Sequence, residues 1–568
     1  MRYLALACDY DGTLAHHGVV DEATFAALER VRESGRRLLL VTGRRLEDLV
    51  EVCPRLDLFD RVVAENGALL YRPADRTEAA LGEAPPAAFV AELAARGVAP
   101  LDAGRVIVAT WEPNDAAVLA AIRDLGLELQ VIFNKGAVMV LPSGVNKATG
   151  LRAALAELGL SPHNAAGVGD AENDHAFLSI CECAVTVANA LPALKERADW
   201  TTPGDHGAGV VGLSERLLED DLASLAPRLR RHDVLLGTTP AGAPIPVPPV
   251  GLNVLLAGAS RSGKSTLAGG LLERIAARGY QFVIVDPEGD YDDFAGAVVL
   301  GDATRHPLHE EIVDLLAKPD ENVVANLLGV PLADRPAYFA ELLPRLHELR
   351  ERSGRPHWVV VDEAHHLMPV SWRPSETSAR ALDGLLLITV HPDHLAPAAL
   401  VAVDTVIAVG QAPRATIAAV PAARAALPGD APVLLEAGEA VAWSRHLGDE
   451  LVRFRVVPPE AERRRHQRKY AEGVLGEDKS FYFRGPDGRL NLRAQNLALF
   501  VQLAAGVDDA TWLHHLERGD YSRWFRDAIK DDGLADAAAA VEAAADPDAA
   551  DTRARIRTAI EERYTLPA

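Results

Sequence analysis

At 568 residues the chain is too long for one hydrophobic core and divides, at about 100–200 residues each, into three or four domains. Its 49% hydrophobic and 24% charged residues are ordinary for folded domains and exclude an extended disordered protein. A net charge of −23 argues against an indiscriminate nucleic-acid binder, and four cysteines are too few for a disulfide framework. Cys181 and Cys183 read as small core residues, and the basic run Arg463-Arg464-Arg465-His466-Gln467-Arg468-Lys469 as a solvated helix face or, alternatively, a local nucleic-acid patch. No stretch of about 18 apolar residues offers a membrane span, and the short run Leu4–Cys8 meets Asp9 before a signal core could finish. A cytoplasmic protein without a membrane partner is expected.

From residue 1 to about 222 short β-rich runs alternate with amphipathic helical stretches, the pattern of a layered α/β domain. Leu4–Cys8, Leu38–Thr42, Arg61–Ala64 and Ala165–Gly169 read as buried parallel strands. Between about 85 and 144 an α-β-α-β-β segment, with helices near 87–96 and 113–125, reads as an inserted cap. The first strand ends in Asp9-Tyr10-Asp11-Gly12-Thr13, and in an extended chain the i, i+2 spacing puts both carboxylates on one face. One can attack a phosphoryl group while the other handles protons. Thr42-Gly43-Arg44 offers a hydroxyl and backbone N–H groups for phosphate oxygens, and Lys147 offers a point charge for the transition state. Asp170 and Asp174, in Gly169-Asp170-Ala171-Glu172-Asn173-Asp174, suit Mg2+, with Asp174 orienting its waters or Lys147.

These residues resemble the haloacid dehalogenase superfamily, and their order is similar to its subclass IIB, the Cof-like phosphatases. The resemblance spans residues 1–222 and includes Glu65-Asn66-Gly67 and Ala188-Asn189-Ala190. It implies a Rossmann-like core with a small α/β cap, Asp9 as nucleophile, Asp11 as general acid/base, and phosphate contacts at Thr42 and Lys147. It also implies Mg2+ held by Asp9, the Asp11 carbonyl and Asp170, and a small phosphorylated substrate such as a sugar phosphate or phosphoglycolate. Arg105, Trp111 and Lys135 are the candidate substrate contacts of the cap.

Residues 223–250 are proline-rich and read as a linker or an edge hairpin. A second α/β pattern follows over 251–457, with strands at Asn253–Ala257, Phe282–Val285, Trp358–Val361, Leu385–Val390 and Thr405–Val409. After the first of these stands Gly258-Ala259-Ser260-Arg261-Ser262-Gly263-Lys264-Ser265-Thr266, a complete P-loop. Its glycines let backbone N–H groups wrap a β-phosphate, Lys264 reaches the β- and γ-phosphates, and Ser265 ligates Mg2+. The strand at 358–361 delivers Asp362 to the metal shell and Glu363 as a base that polarises water. Together with Asp286-Pro287-Glu288-Gly289-Asp290-Tyr291, these motifs resemble the HerA/FtsK-type P-loop ATPases. The resemblance implies ATP as ligand, and that branch typically forms homo-oligomeric rings that move DNA. The sequence departs from it at Thr389-Val390-His391-Pro392, where a sensor glutamine usually follows the threonine. Residues 458–568 are Ala-rich and read as a helical accessory domain anchored by Trp512, Tyr521 and Trp524. The leading expectation is a phosphatase fused to an ATP-binding domain. The alternative is a nucleic-acid machine in which a DNA motor carries an end-trimming phosphatase.

Overall fold

The computed structural model describes residues 1–259, 262–373, 382, 384–427, 433–445, 450–459, 475, 480–488, 490–529, 531–544 and 547–564. The basic run 463–469 and the P-loop residues 260 and 261 lie outside the described residues. Residues 1–457 form one compact unit and 458–568 another.

The N-terminal sheet is built from β1 (Ala5–Cys8), β2 (Arg37–Val41), β3 (Arg61–Ala64), β4 (Leu69–Arg72) and β5 (Thr77–Ala80). The cap then supplies β6 (Asp102–Ala103), β7 (Val108–Trp111), β8 (Leu129–Asn134) and β9 (Ala137–Pro142). The chain returns to the core through β10 (Ala165–Gly169), β11 (Cys183–Thr186) and β12 (Trp200–Thr201). The core order is β12-β11-β10-β1-β2-β3-β4-β5, parallel from β12 to β3 and antiparallel in β4 and β5. Every residue of β1 and β10 is buried, which is why both read as unbroken apolar or small-residue runs rather than alternating ones. With β1 between β2 and β10, its carboxyl end faces the crevice where ligands of open α/β sheets bind.

The cap sheet runs β6-β7-β9-β8 and is antiparallel throughout. Alternation in β9 divides its two faces. Val138 and Val140 pack beneath the helices Ala87–Ala95 and Asp115–Asp124, through Phe89, Leu93 and Val118. Met139 and Leu141 pack with Ala68 and Val145. The expected α-β-α-β-β order is present, with the two-residue β6 added ahead of β7.

The proline-rich segment is a hairpin, β13 (Val234–Thr238) with β14 (Pro244–Val247). Seven strands follow: β15 (Val254–Ala257), β16 (Phe282–Asp286), β17 (Val298–Leu300), β18 (Val323–Asn326), β19 (Trp358–Val361), β20 (Leu385–Thr389) and β21 (Thr405–Val409). With β22 (Glu439–Ser444) and β23 (Leu451–Val456) they complete an 11-stranded sheet, β14-β13-β23-β22-β21-β15-β20-β19-β16-β18-β17. The strands from β21 to β17 are parallel, and β22 and β23 are antiparallel. The hairpin joins the sheet through β23, so it is an edge of this domain rather than a free linker.

In the second unit, helices such as Leu497–Gly506, Asp509–Glu517 and Ala549–Glu561 enclose Phe500, Trp512, Tyr521 and Trp524. The expectation of a helical module is modified by a hairpin, β24 (Phe481–Phe483) with β25 (Leu492–Ala494), whose Phe481 and Phe483 enter the same core. His515 is held by Asp520 at 2.8 Å and by the Arg484 backbone N–H at 3.1 Å, a packing role. Among the described residues no helix is long and apolar enough to cross a membrane.

Candidate active site

β1 ends at Cys8, and the chain turns through Gly12 with φ +89°. A Cβ there would lie 2.4 Å from Asp170 Oδ2, so the turn needs glycine both for its backbone and for the approach of Asp170. The turn places Asp9 under Lys147, the first residue of the helix Lys147–Glu157, whose N-cap Asn146 accepts from the N–H groups of Ala148 and Thr149. Lys147 Nζ donates to Asp9 Oδ1 and Asp174 Oδ1, each at 2.6 Å, and is 1% exposed. The second oxygen of Asp174 accepts from the N–H groups of Asp170 at 2.8 Å and Ala171 at 2.9 Å, which fixes the turn after β10. Asp9, Asp170 and Asp174 each offer a carboxylate oxygen within 4.8 Å of the others. The sequence-predicted set Asp9, Lys147, Asp170 and Asp174 thus meets at the carboxyl ends of β1 and β10.

Burial, with Asp174 adding to it, raises the Asp9 carboxyl, and the Lys147 ammonium opposes the rise. Burial also raises Asp170, against Lys135. For Lys147 burial works downward, but Asp174 and Asp9 more than offset it and hold the ammonium charged. Buried carboxylates raised in this way gain from a second cation among them.

Asp11, part exposed, stands at the mouth of the site, and Thr42, just past the end of β2, is buried. Arg44 clamps Asp11 with Nε–Oδ2 at 2.6 Å and Nη2–Oδ1 at 2.7 Å, and the Arg44 N–H donates to Thr42 Oγ1 at 3.1 Å. Of the three cap candidates only Lys135 enters the site. It lies in the tight turn between β8 and β9, with φ +49°, and its Nζ donates to Asp170 Oδ2 at 2.8 Å and to the Asp11 carbonyl at 3.4 Å. Arg105 is instead spent on Glu47 at 2.8 Å and Glu78 at 3.1 Å, and Trp111 is half exposed. Glu65 is a further residue whose role the sequence did not show. Fully buried, it accepts from the backbone N–H groups of Arg105, Val106 and Ile107 at 2.8 to 2.9 Å, tying the core to the cap. Asn66 accepts from Asn173 at 3.0 Å, and Asn189 donates to the Gly12 carbonyl at 2.8 Å, so both subsidiary segments brace the site.

The second sheet carries a separate cluster. Gly258 follows β15, and Gly263, with φ +97°, precedes the helix Lys264–Ala277, whose first turn holds Lys264, Ser265 and Thr266. Lys264 Nζ donates to the carbonyls of Gly258 at 3.0 Å and Ala259 at 3.2 Å. Asp362 and Glu363 follow β19, close enough for their charges to act on Lys264. Burial, with Glu363 and Asp286 adding, pushes Asp362 up to about 8, and burial raises Glu363 against Lys264. Asp286 accepts from the N–H groups of Glu288, Gly289 and Tyr291, which organises the Asp286–Tyr291 turn.

A family model for haloacid dehalogenase-like hydrolases matches residues 6–81 and 122–212. Phosphoglycolate phosphatase of Methanothermobacter thermautotrophicus is 29% identical over 229 residues, 38% of this chain and 98% of that protein. Phosphoglycolate phosphatase of Haloarcula marismortui is 32% identical over 220 residues, 36% of this chain and 93% of that protein. A solved haloacid dehalogenase-like hydrolase from Bacteroides thetaiotaomicron is 17% identical, covering 38% of this chain and 99% of that one at a TM-score of 0.34.

Proposed function

The chain belongs, through its N-terminal domain, to the haloacid dehalogenase-like hydrolases, and from that premise we propose that this domain is a Mg2+-dependent phosphomonoesterase. The observation that carries the proposal is Lys147 bridging Asp9 and Asp174 beside Asp170. The donor set fits the metal, because Asp9, Asp170 and the Asp11 carbonyl present hard oxygens. The Lys135 ammonium, set on the Asp170 carboxylate and the Asp11 carbonyl, supports this reading. Mg2+ bound there would neutralise phosphoryl charge. Asp174, whose oxygens serve Lys147 and two N–H groups, holds that arrangement in place.

In this mechanism Lys147 engages Asp9 Oδ1, and Oδ2 attacks phosphorus. The bond to the leaving oxygen breaks, and an aspartyl phosphate forms on Asp9. Once out of the Arg44 clamp, which holds it as a carboxylate, Asp11 takes up a proton from solvent and gives it to the leaving oxygen. It then takes a proton from the water that attacks the phosphoenzyme, restoring Asp9 and releasing phosphate. Thr42 Oγ1 and the backbone N–H groups beside it hold non-transferring oxygens, and Lys147 stabilises their developing charge.

The substrate is a small phosphorylated metabolite of the phosphoglycolate or sugar-phosphate kind. Support comes from the names of the relatives and from Lys135, a cap cation poised to meet a second anionic or hydroxyl group. Phosphate release from a panel of such esters by the full-length protein, with and without Mg2+, tests this. No turnover on any member, or turnover surviving Asp9→Asn, would sink it.

A second reading, nucleotide binding by residues 251–457, is favoured by Lys264 at a helix N-terminus facing Asp362 and Glu363. ATP with Mg2+ on Ser265 and Asp362 is the ligand this suits, and Glu363 would polarise the attacking water. Binding of a fluorescent ATP analogue, lost in Lys264→Ala, is the expected result. Hydrolysis stimulated by duplex DNA would extend the reading to a motor.

A further inference from the structure

Four histidines gather beyond the carboxyl ends of β19 and β20. His365 and His366 follow Glu363, with ring centroids 4.1 Å apart. His391 and His394 flank the short turn after Thr389, with rings stacked at 4.8 Å, and the rings of His365 and His391 meet edge-on at 5.5 Å. Neither the phosphatase chemistry nor the nucleotide reading uses this group.

We propose that His391, Asp393 and His394 form a binding site for a late first-row divalent ion of the Zn2+, Co2+ or Ni2+ class. An imidazole nitrogen from each histidine and a carboxylate oxygen of Asp393 all lie within 4.8 Å of one another. Donors sharing a tetrahedral ion at about 2.0–2.1 Å stand ~3.3 Å apart, and ring centres about 1.1 Å further out come ~5 Å apart. The observed ring spacing already matches, so closing the site takes only rotation of exposed side chains.

The turn that carries the donors is fixed. The His391 N–H donates to Thr389 Oγ1 at 3.0 Å, and the His394 N–H donates to the His391 carbonyl at 3.0 Å. Pro392 locks φ between His391 and the other two ligands. Behind the turn, His365 Nδ1 lies 3.0 Å from Thr389 Oγ1 and 3.4 Å from Glu363 Oε2, and that carboxylate oxygen has no hydrogen-bond partner. Thr389 Oγ1, which accepts from the His391 N–H and lies 3.0 Å from His365 Nδ1, braces the turn from behind. Two imidazoles and a carboxylate select a borderline transition ion over Mg2+ or Ca2+.

The test uses tag-free full-length protein stripped with chelator and held in excess Mg2+. Zn2+ is titrated in competition with a chromophoric chelator, and Co2+ is followed by its visible absorption. The expected result is one equivalent bound per chain, with Kd at or below about 1 μM and the Co2+ bands of nitrogen ligation. Asp393→Asn should weaken binding about 10-fold, and His391→Ala with His394→Ala by about 100-fold or more. These side chains are exposed, so circular dichroism and Tm should match the parent. Binding should survive Asp9→Asn with Asp170→Asn, which separates it from the phosphatase site, and Lys264→Ala, which separates it from nucleotide binding. Uptake unchanged in the double histidine variant, or none tighter than about 100 μM, overturns the proposal.

Discussion

Asp9 and Lys135 act at the same few ångströms through opposite charges, and their substitutions should separate chemistry from binding. Asp9→Asn keeps the shape of the side chain but removes the nucleophilic oxygen, so phosphate release should fall by about four orders of magnitude or more. The variant should remain folded, because an amide can still accept from Lys147. Lys135 is a cation set on oxygens of Asp170 and Asp11 that also suit Mg2+. Lys135→Met removes a positive charge from both a metal and an anionic substrate. The metal should bind more readily, with half-saturating Mg2+ falling, while KM for the phosphate ester rises by about 10-fold, ~1.4 kcal/mol. Steady-state titrations of Mg2+ and substrate read the two signs independently. If both constants moved in the same direction, Lys135 would not be placed between them.

The turn Glu65–Gly67 and the β8–β9 hairpin decide how the cap meets the core. Glu65 and Asn66 have φ of +50° and +55°, and a Cβ on Gly67 would lie 1.9 Å from the Asn146 carbonyl oxygen, so this turn tolerates little change. The Glu65 carboxylate satisfies three buried N–H groups of the cap. Glu65→Gln presents an amide with one acceptor oxygen and two N–H groups to those donors. It should cost about 2 kcal/mol, seen as a lower Tm, and should reduce kcat by loosening the cap. A variant with unchanged Tm and rate would remove Glu65 from this role. The sequence showed the acids because Asp9, Asp11, Asp170 and Asp174 sit in short local motifs at strand ends. It could not rank Arg105, Trp111 and Lys135, since only the docking of the cap decides which side chain reaches the core. The strands β15 and β19, only four residues each, were legible because the P-loop and the Asp362-Glu363 pair follow them, whereas β17 and β18, at three and four residues, lead into no such motif. The pairing of Arg44 with Asp11 leaves no trace in the sequence either, where Thr42-Gly43-Arg44 signals only a hydroxyl and backbone N–H groups.

Within residues 1–457 the two sheets are joined by a buried acid, Glu182, that no motif announced. It sits just before β11, 2% exposed, and accepts from His163 Nδ1 at 2.7 Å, from the Arg2 guanidinium and from the Tyr280 hydroxyl at 2.6 Å. Tyr280 belongs to the second domain, between the helix Lys264–Ala277 and β16, and its ring stacks on that of His163 at 3.7 Å. His163 Nε2 completes the link on the Arg278 carbonyl at 2.7 Å. Burial alone would raise the Glu182 carboxyl, but the His163 hydrogen bond and the Arg2 charge outweigh it and hold the group well below the usual carboxylate range. Because its folded pKa is depressed, Glu182 contributes its full stability above the unfolded value of about 4.3 and loses it as pH falls below that toward the folded value. Tm of the parent should therefore decline between about pH 5 and pH 2 more steeply than that of Glu182→Gln. At pH 7 the variant should be less stable by about 1–2 kcal/mol, since the buried His163 and the partly exposed Arg2 lose an ionised acceptor. Thermal unfolding followed across that pH range compares the two slopes. Parallel lines would mean that the junction is held by packing alone, and that the phosphatase core and the second sheet share no electrostatic tie.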